Sequence, residues 1–168
     1  MNTEPKIEFR PARPYAAVRM QVPIPFGEFL DPAWGKIAGW LAGQGITAFG
    51  PAIIRYFTTD MSTKLDLEVG FILEQALPGG EGITTGEIPA GKYATLLHTG
   101  SYEDDGVYLA NAALVDWAVE NGVKWATTQK EGVEWWQSRV EWYFSDPDTD
   151  PDPEKYETEL TFMVDADE

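Results

Sequence analysis

The chain has 168 residues, a formal net charge of −16 from 28 acidic against 12 basic side chains, and no cysteine. That length suits a single domain with a real interior, and 43% hydrophobic with 13% aromatic content exclude wholesale disorder. The charge opposes binding to nucleic-acid backbones and anionic membranes, and the missing thiols exclude disulfides and thiolate metal sites while fitting a reducing compartment.

The first twenty residues carry charges and prolines, with no apolar core of signal-peptide length, and no later stretch reaches a membrane span. A soluble cytoplasmic protein is expected. Apolar patterning predicts a strand over 15–21, then a helix over 32–42 with Ala33, Ile37, Trp40 and Leu41 at helical spacing, stopped at Gly45. Strands follow over 52–58 and 67–73. The order then starts again: a strand over 93–98, and a helix over 104–121 carrying Val107, Ala110, Leu114, Trp117 and Ala118 and ending at Asn121-Gly122. Ser101 and Asp104 have the spacing of a capping box at its start. Two more strands are placed at 138–144 and 157–164.

The second series is a copy of the first. ARPYAAVRM (12–20) answers AGKYATLLH (90–98), and the helical Trp40 answers Trp117, 77 positions on. RYFTTD (55–60) answers EWYFSD (141–146) at an offset of 86, and LEVGFIL (67–73) answers TELTFMV (158–164) at 91. One domain over 1–168 is therefore expected, built of two βαββ units at about 6–75 and 82–166. One helix per three strands covers a single sheet face, so the fold class is α+β: a mostly antiparallel curved sheet, both helices on one face, and a groove between the halves. The drift from 77 to 86 marks a nine-residue insertion within 124–137, which carries Trp125, Trp135 and Trp136. It reads either as a lid or as a flap closing one end of the core.

Several of these segments resemble the GyrI-like small-molecule-binding domain, also the effector-binding module of multidrug-sensing bacterial regulators of the AraC and MerR types. They are GKYATLLHTGSY (91–102), LVDWAVENG (114–122), and VEWYFSDP with TELTFMV (140–147 and 158–164). Ser101 stands where the family usually has proline. The resemblance covers nearly the whole chain and implies a pocket for flat, often cationic, aromatic compounds with a glutamate inside it. Some relatives hydrolyse cyclopropane-bearing DNA-alkylating toxins, and others inhibit gyrase or sequester toxins, so a small-molecule ligand and a gyrase-like protein partner are both implied. The duplicate fills the chain, so no DNA-reading domain and no direct nucleic-acid binding are expected. The implied form is a stand-alone one.

The expected site centres on Glu141. Strand alternation puts Arg139, Glu141 and Tyr143 on one face and Val140, Trp142 and Phe144 on the other; with the second set under the helices, the first lines the open groove. There Glu141 would read a cation and aromatic side chains would form the walls. Arg55, at the repeat position of Glu141 under the 86 offset, and Arg139 on its own strand are the rivals that would make the acid half of a structural ion pair. Tyr143 and Phe57 are candidate opposing walls, Tyr102 a hydrogen-bond donor from the second helix's start, and Trp125 and Trp136 contributions from the insertion. For hydrolysis, Glu141 would be the general base and Tyr102 or Tyr143 would polarise the leaving group. His98, the one histidine, reads as structural, and the acids of 146–154 lack the glycine of a calcium loop and are threaded with prolines. No metal and no cofactor are expected.

Overall fold

Alternation in the strand segments and 3.6-residue periodicity between them give, in the computed structural model, ten strands and two α-helices; residues 1–60 and 64–168 are described. The strands are β1 (Lys6–Arg10), β2 (Arg13–Val22), β3 (Ala52–Tyr56), β4 (Leu65–Ile72), β5 (Thr84–Ile88), β6 (Gly91–Thr99), β7 (Thr127–Lys130), β8 (Val133–Trp136), β9 (Arg139–Tyr143) and β10 (Glu157–Met163). The helices are α1 (Leu30–Gly43) and α2 (Gly106–Glu120). Both expected helices lie within two residues of their sequence-based bounds, and Gly45 and Gly122 take the left-handed conformation (φ 78° and 65°) that ends them. Ser101 accepts from the Glu103 amide rather than from a helical one, so the capping box does not form; Asp104 instead caps the Gly106 amide at 2.8 Å.

Eight strands form one antiparallel sheet in the order β1-β6-β10-β9-β3-β4-β2-β5. That order is two-fold symmetric about the β9–β3 pair. Each copy also gains a short strand beyond the expected βαββ, and the two are exchanged: β1 precedes β2 but pairs with β6, while β5 precedes β6 but pairs with β2. Only Pro11-Ala12 and Pro89-Ala90 make these crossings. Two linking residues reach about 10 Å, whereas six strand spacings across a flat sheet come to about 29 Å. The sheet must therefore curl until its edges approach. Seven strands accordingly send side chains into one cluster on the inner face, including Tyr15, Ile53, Ile72, Tyr93, Val140 and Trp142.

Both helices pack on the outer face. α1 buries Ala33, Ile37 and Leu41 against β2 and β4, and α2 buries Ala110, Leu114 and Ala118 against β6 and β10. Neither helix covers the central pair β9–β3. Val140 and Trp142 pack in the inner cluster and not under the helices, so the expected assignment of faces is reversed: Glu141 and Tyr143 face the helices.

Register explains the error. Leu96, Leu160, Glu141, Ile54, Val69 and Val18 lie directly opposite one another across six strands. In this row Val18 answers Leu96 at the offset read from sequence, 78, and Val69 answers Leu160 at 91, but Glu141 answers Ile54 at 87 rather than Arg55 at 86. A one-residue slip turns a strand over. Glu141 is thus the one charged member of an otherwise apolar row, and Arg55 is on the other face.

The insertion forms the β7–β8 hairpin. Trp136 is 5% exposed and packs with Trp125 and Phe162 beside α2, closing the end of the core. His98 bonds Asn2 through Nδ1 at 2.6 Å.

Candidate functional site

The gap between the helices over β9–β3 is a cleft of about 690 Å³, inside the common range for small-molecule sites of roughly 300–1,000 Å³. Its floor is Ile54 and Tyr56 of β3 with Arg139, Glu141 and Tyr143 of β9. One wall is the segment Ile24–Gly27 with Leu30 at the start of α1; the other is the stripe Asp104, Val107, Tyr108, Asn111, Val115 and Asp116 of α2 and the turn before it. That spacing of three and four residues is one helical face. Among the described residues four charged groups line the cleft, Asp104, Asp116 and Glu141 against Arg139, a net negative set.

Glu141 is 5% exposed. Its Oε1 accepts hydrogen bonds from Tyr56 Oη at 3.0 Å and from Tyr143 Oη, and its Oε2 accepts from Asn111 Nδ2 at 3.0 Å. Burial first, and the neighbouring Glu141 second, hold both phenols well above their ordinary ionisation range, so they remain donors. All three donors are therefore neutral. Asn111 in turn accepts from Arg139 Nη2 through Oδ1 at 3.1 Å. Burial pulls the Arg139 guanidinium below its ordinary value, with Glu141 opposing the shift, and the group is stacked 4.7 Å from the Trp136 ring and 4.1 Å from that of Phe162. Around the floor, rings meet edge to face: Phe26 with Tyr56, Trp34 with Tyr143, and Tyr102 with Tyr143.

A model of the GyrI-like small molecule binding domain matches residues 3–165. The chain belongs to the GyrI-like family. Solved structures share the fold: the C-terminal domain of EcmrR, with 18% identity and a TM-score of 0.70 over 96% of this chain and 97% of that one; SAV2435 bound to tetraphenylphosphonium, with 11% identity and 0.63 over 97% and 94%; and a hydrolase from Listeria innocua, with 13% identity and 0.56 over 96% and 92%. No protein of curated function matches the sequence.

Of the residues singled out from sequence, Glu141 and Tyr143, with Arg139 beside them on the same strand face, line this GyrI-like cleft, whereas Arg55, Phe57, Tyr102, Trp125 and Trp136 do not. Arg55 lies beneath the sheet, where Nη1 donates to Tyr15 Oη at 3.0 Å and Nη2 to the Gln137 carbonyl at 2.8 Å; the expected Arg55–Glu141 alternative is thereby excluded by topology. Phe57 sits with it, its ring 5.1 Å from the Arg55 guanidinium and 4.4 Å from that of Arg19. Tyr102 stands behind Tyr143, its hydroxyl taken up by the Ser145 and Glu157 carbonyls, and Trp125 and Trp136 belong to the α2 core. Tyr56, Asn111, Phe26 and Tyr108 are among the cleft residues sequence reasoning missed. An offset of 87 pairs Tyr56 with Tyr143 and would have found the first, and the polar Asn111 within an otherwise apolar helical stripe was a signal for the second. Among the described residues no cluster of histidine, aspartate and glutamate is placed to hold a metal ion, and no helix is long and apolar enough to cross a membrane.

Proposed function

We propose that the cleft binds lipophilic aromatic cations, with Glu141 reading the charge and Tyr56, Tyr143, Phe26 and Tyr108 presenting aromatic surface. The observation that carries this is a nearly solvent-free carboxylate on the cavity floor whose three hydrogen-bond donors among the described residues are all uncharged. Taking a carboxylate out of water is costly, and neutral donors offset only part of the cost. A ligand cation offsets more, and rings add about 0.5–2 kcal/mol for each good cation–π contact. That SAV2435 has been solved with tetraphenylphosphonium adds weight to the reading.

The test is a titration of tryptophan fluorescence with tetraphenylphosphonium and with the uncharged triphenylphosphine oxide; Trp34, 6.0 Å from Tyr143, is a built-in reporter. Saturable binding is expected, with the cation preferred about tenfold, the scale of one hydrogen bond or contact to a charge. Equal affinity would remove the charge-reading role, and no binding of either would remove the cleft. The hydrolytic alternative shares the site, since Glu141 Oε2 accepts a single donor among the described residues, Asn111, and retains a lone pair for water. Incubation with a cyclopropane-bearing alkylating compound at substoichiometric protein separates the two: one equivalent consumed means capture, many mean turnover.

A further inference from the structure

Binding a simple cation makes no use of Arg139, and its positive charge works against it. The guanidinium nevertheless lines the cleft floor, two residues from Glu141 on the same strand face and so about 7 Å away along β9. Among the described residues, one of its five N–H donors is used, on Asn111, and the buried Nε has no partner. The plane of the group is set by the Trp136 and Phe162 rings on which it stacks, so its remaining donors have a defined direction.

Asn111 keeps the two opposite charges apart. Its amide donates to Glu141 and to the Val107 carbonyl and accepts from Arg139, which leaves it no freedom to turn without breaking a bond. Arg139 and Glu141 do not close into a direct ion pair. The floor therefore presents an acceptor group and a donor group side by side, at a separation fixed by one side-chain amide.

We propose that Arg139 is a recognition subsite for an anionic oxygen, and that the ligand of this cleft is an amphoteric aromatic molecule carrying a carboxylate or phenolate beside its cationic centre. The inference rests on the cleft being the ligand site with Glu141 as charge reader, as proposed above. A molecule of this kind satisfies both ends of the Glu141–Asn111–Arg139 chain at once, whereas a plain cation satisfies one end and is repelled by the other.

Rhodamine 110 and rhodamine 123 share one xanthylium cation and differ in a free carboxylate against its methyl ester, so the pair isolates the anionic oxygen. Fluorescence titration of the wild-type protein is expected to show rhodamine 110 bound about tenfold more tightly. Arg139→Met keeps an apolar stem between the two rings and is expected to erase the preference. Arg139→Lys, which keeps the charge without the fork, is expected to reduce it and serves if the methionine variant fails to fold. Glu141→Gln should weaken both dyes alike. A wild-type preference for the ester, or none, overturns the proposal while leaving the cation reading standing, and so does a carboxylate preference that survives in the Arg139 variants. Failure of both dyes to bind overturns both readings.

Discussion

Replacing Glu141 with glutamine keeps the shape of the side chain and removes its charge. With a ligand cation about 5 Å from the carboxylate and an effective dielectric near 20, the lost attraction is about 3 kcal/mol. Part of that returns because the variant no longer buries an ion, so the net loss for tetraphenylphosphonium is expected at about 1.5–3 kcal/mol, ten- to a hundredfold in Kd. The fold should survive. The glutamine oxygen can keep the bonds from Tyr56 and Tyr143, and its amide meets Asn111, whose own amide must then turn and put its nitrogen toward Arg139. That donor-to-donor contact costs about 1–2 kcal/mol. Thermal unfolding of the variant establishes that it is folded, and calorimetric titration with tetraphenylphosphonium and triphenylphosphine oxide reads the affinity. The expected pattern is a selective loss of the cation. A folded variant that binds the cation as tightly as wild type would refute the charge-reading role of Glu141.

Alkaline pH should destabilise the protein from the cleft outward. Tyr56 and Tyr143 are held well above the ordinary phenol range by burial and then by Glu141, and Tyr15 is pushed up to about 12 by burial and then by Glu68. The folded state thus keeps protons that the unfolded chain releases above about pH 10, so their contribution is complete below that pH and is lost as pH rises toward the folded values, by up to about 1.4 kcal/mol per unit for each fully buried tyrosine. Denaturant titrations from about pH 9 to 11.5 should show that slope, reduced in Tyr56→Phe, and a flat profile would contradict it. Arg55→Met should lower stability by about 1–2 kcal/mol through the lost bonds to Tyr15 and the Gln137 carbonyl, yet leave cation affinity unchanged because it is on the other face; a tenfold loss of affinity would show the faces to be coupled. Gly70→Ala should be among the most damaging single changes. Its Cβ would lie 2.2 Å from the Ala16 carbonyl oxygen of the neighbouring strand, so β2 and β4 must part, at a cost of more than about 2 kcal/mol in denaturant unfolding.

The copies were legible because each repeats a run of periodicities, and periodicity is local. Trp40 and Trp117, the strand pair Val18 and Leu96, and the helix-ending glycines all needed only neighbours along the chain to be placed. The slip came at β3 and β9. RYFTTD and EWYFSD align well by residue type at 86, because aromatic residues fill both faces of these central strands and type alone does not say which way a ring points. The match of Arg55 to Glu141 was a consequence of that ambiguity. The exchange of β1 and β5 between halves was equally hidden, since a five-residue strand beside a proline link carries no sign of which edge it will join.

The site divides along the same line. Glu141 and Tyr143 could be picked from the sequence because an acid inside an aromatic strand is a local anomaly, and their sharing of a face follows from the two-residue period of any strand. Asn111, Phe26 and Tyr56 come to that carboxylate from α2, the β2–α1 connection and the partner copy, at separations from Glu141 of 30, 115 and 85 residues, which only the folded chain brings together. What the amino-acid order determined by itself is the duplicated α+β plan and the candidate acid. Which side of the sheet that acid faces was decided by register, since the hydrogen-bonded ladder admits either face until the neighbouring strands are locked. The cleft followed from packing: two helices seated on outer strands leave the central pair uncovered.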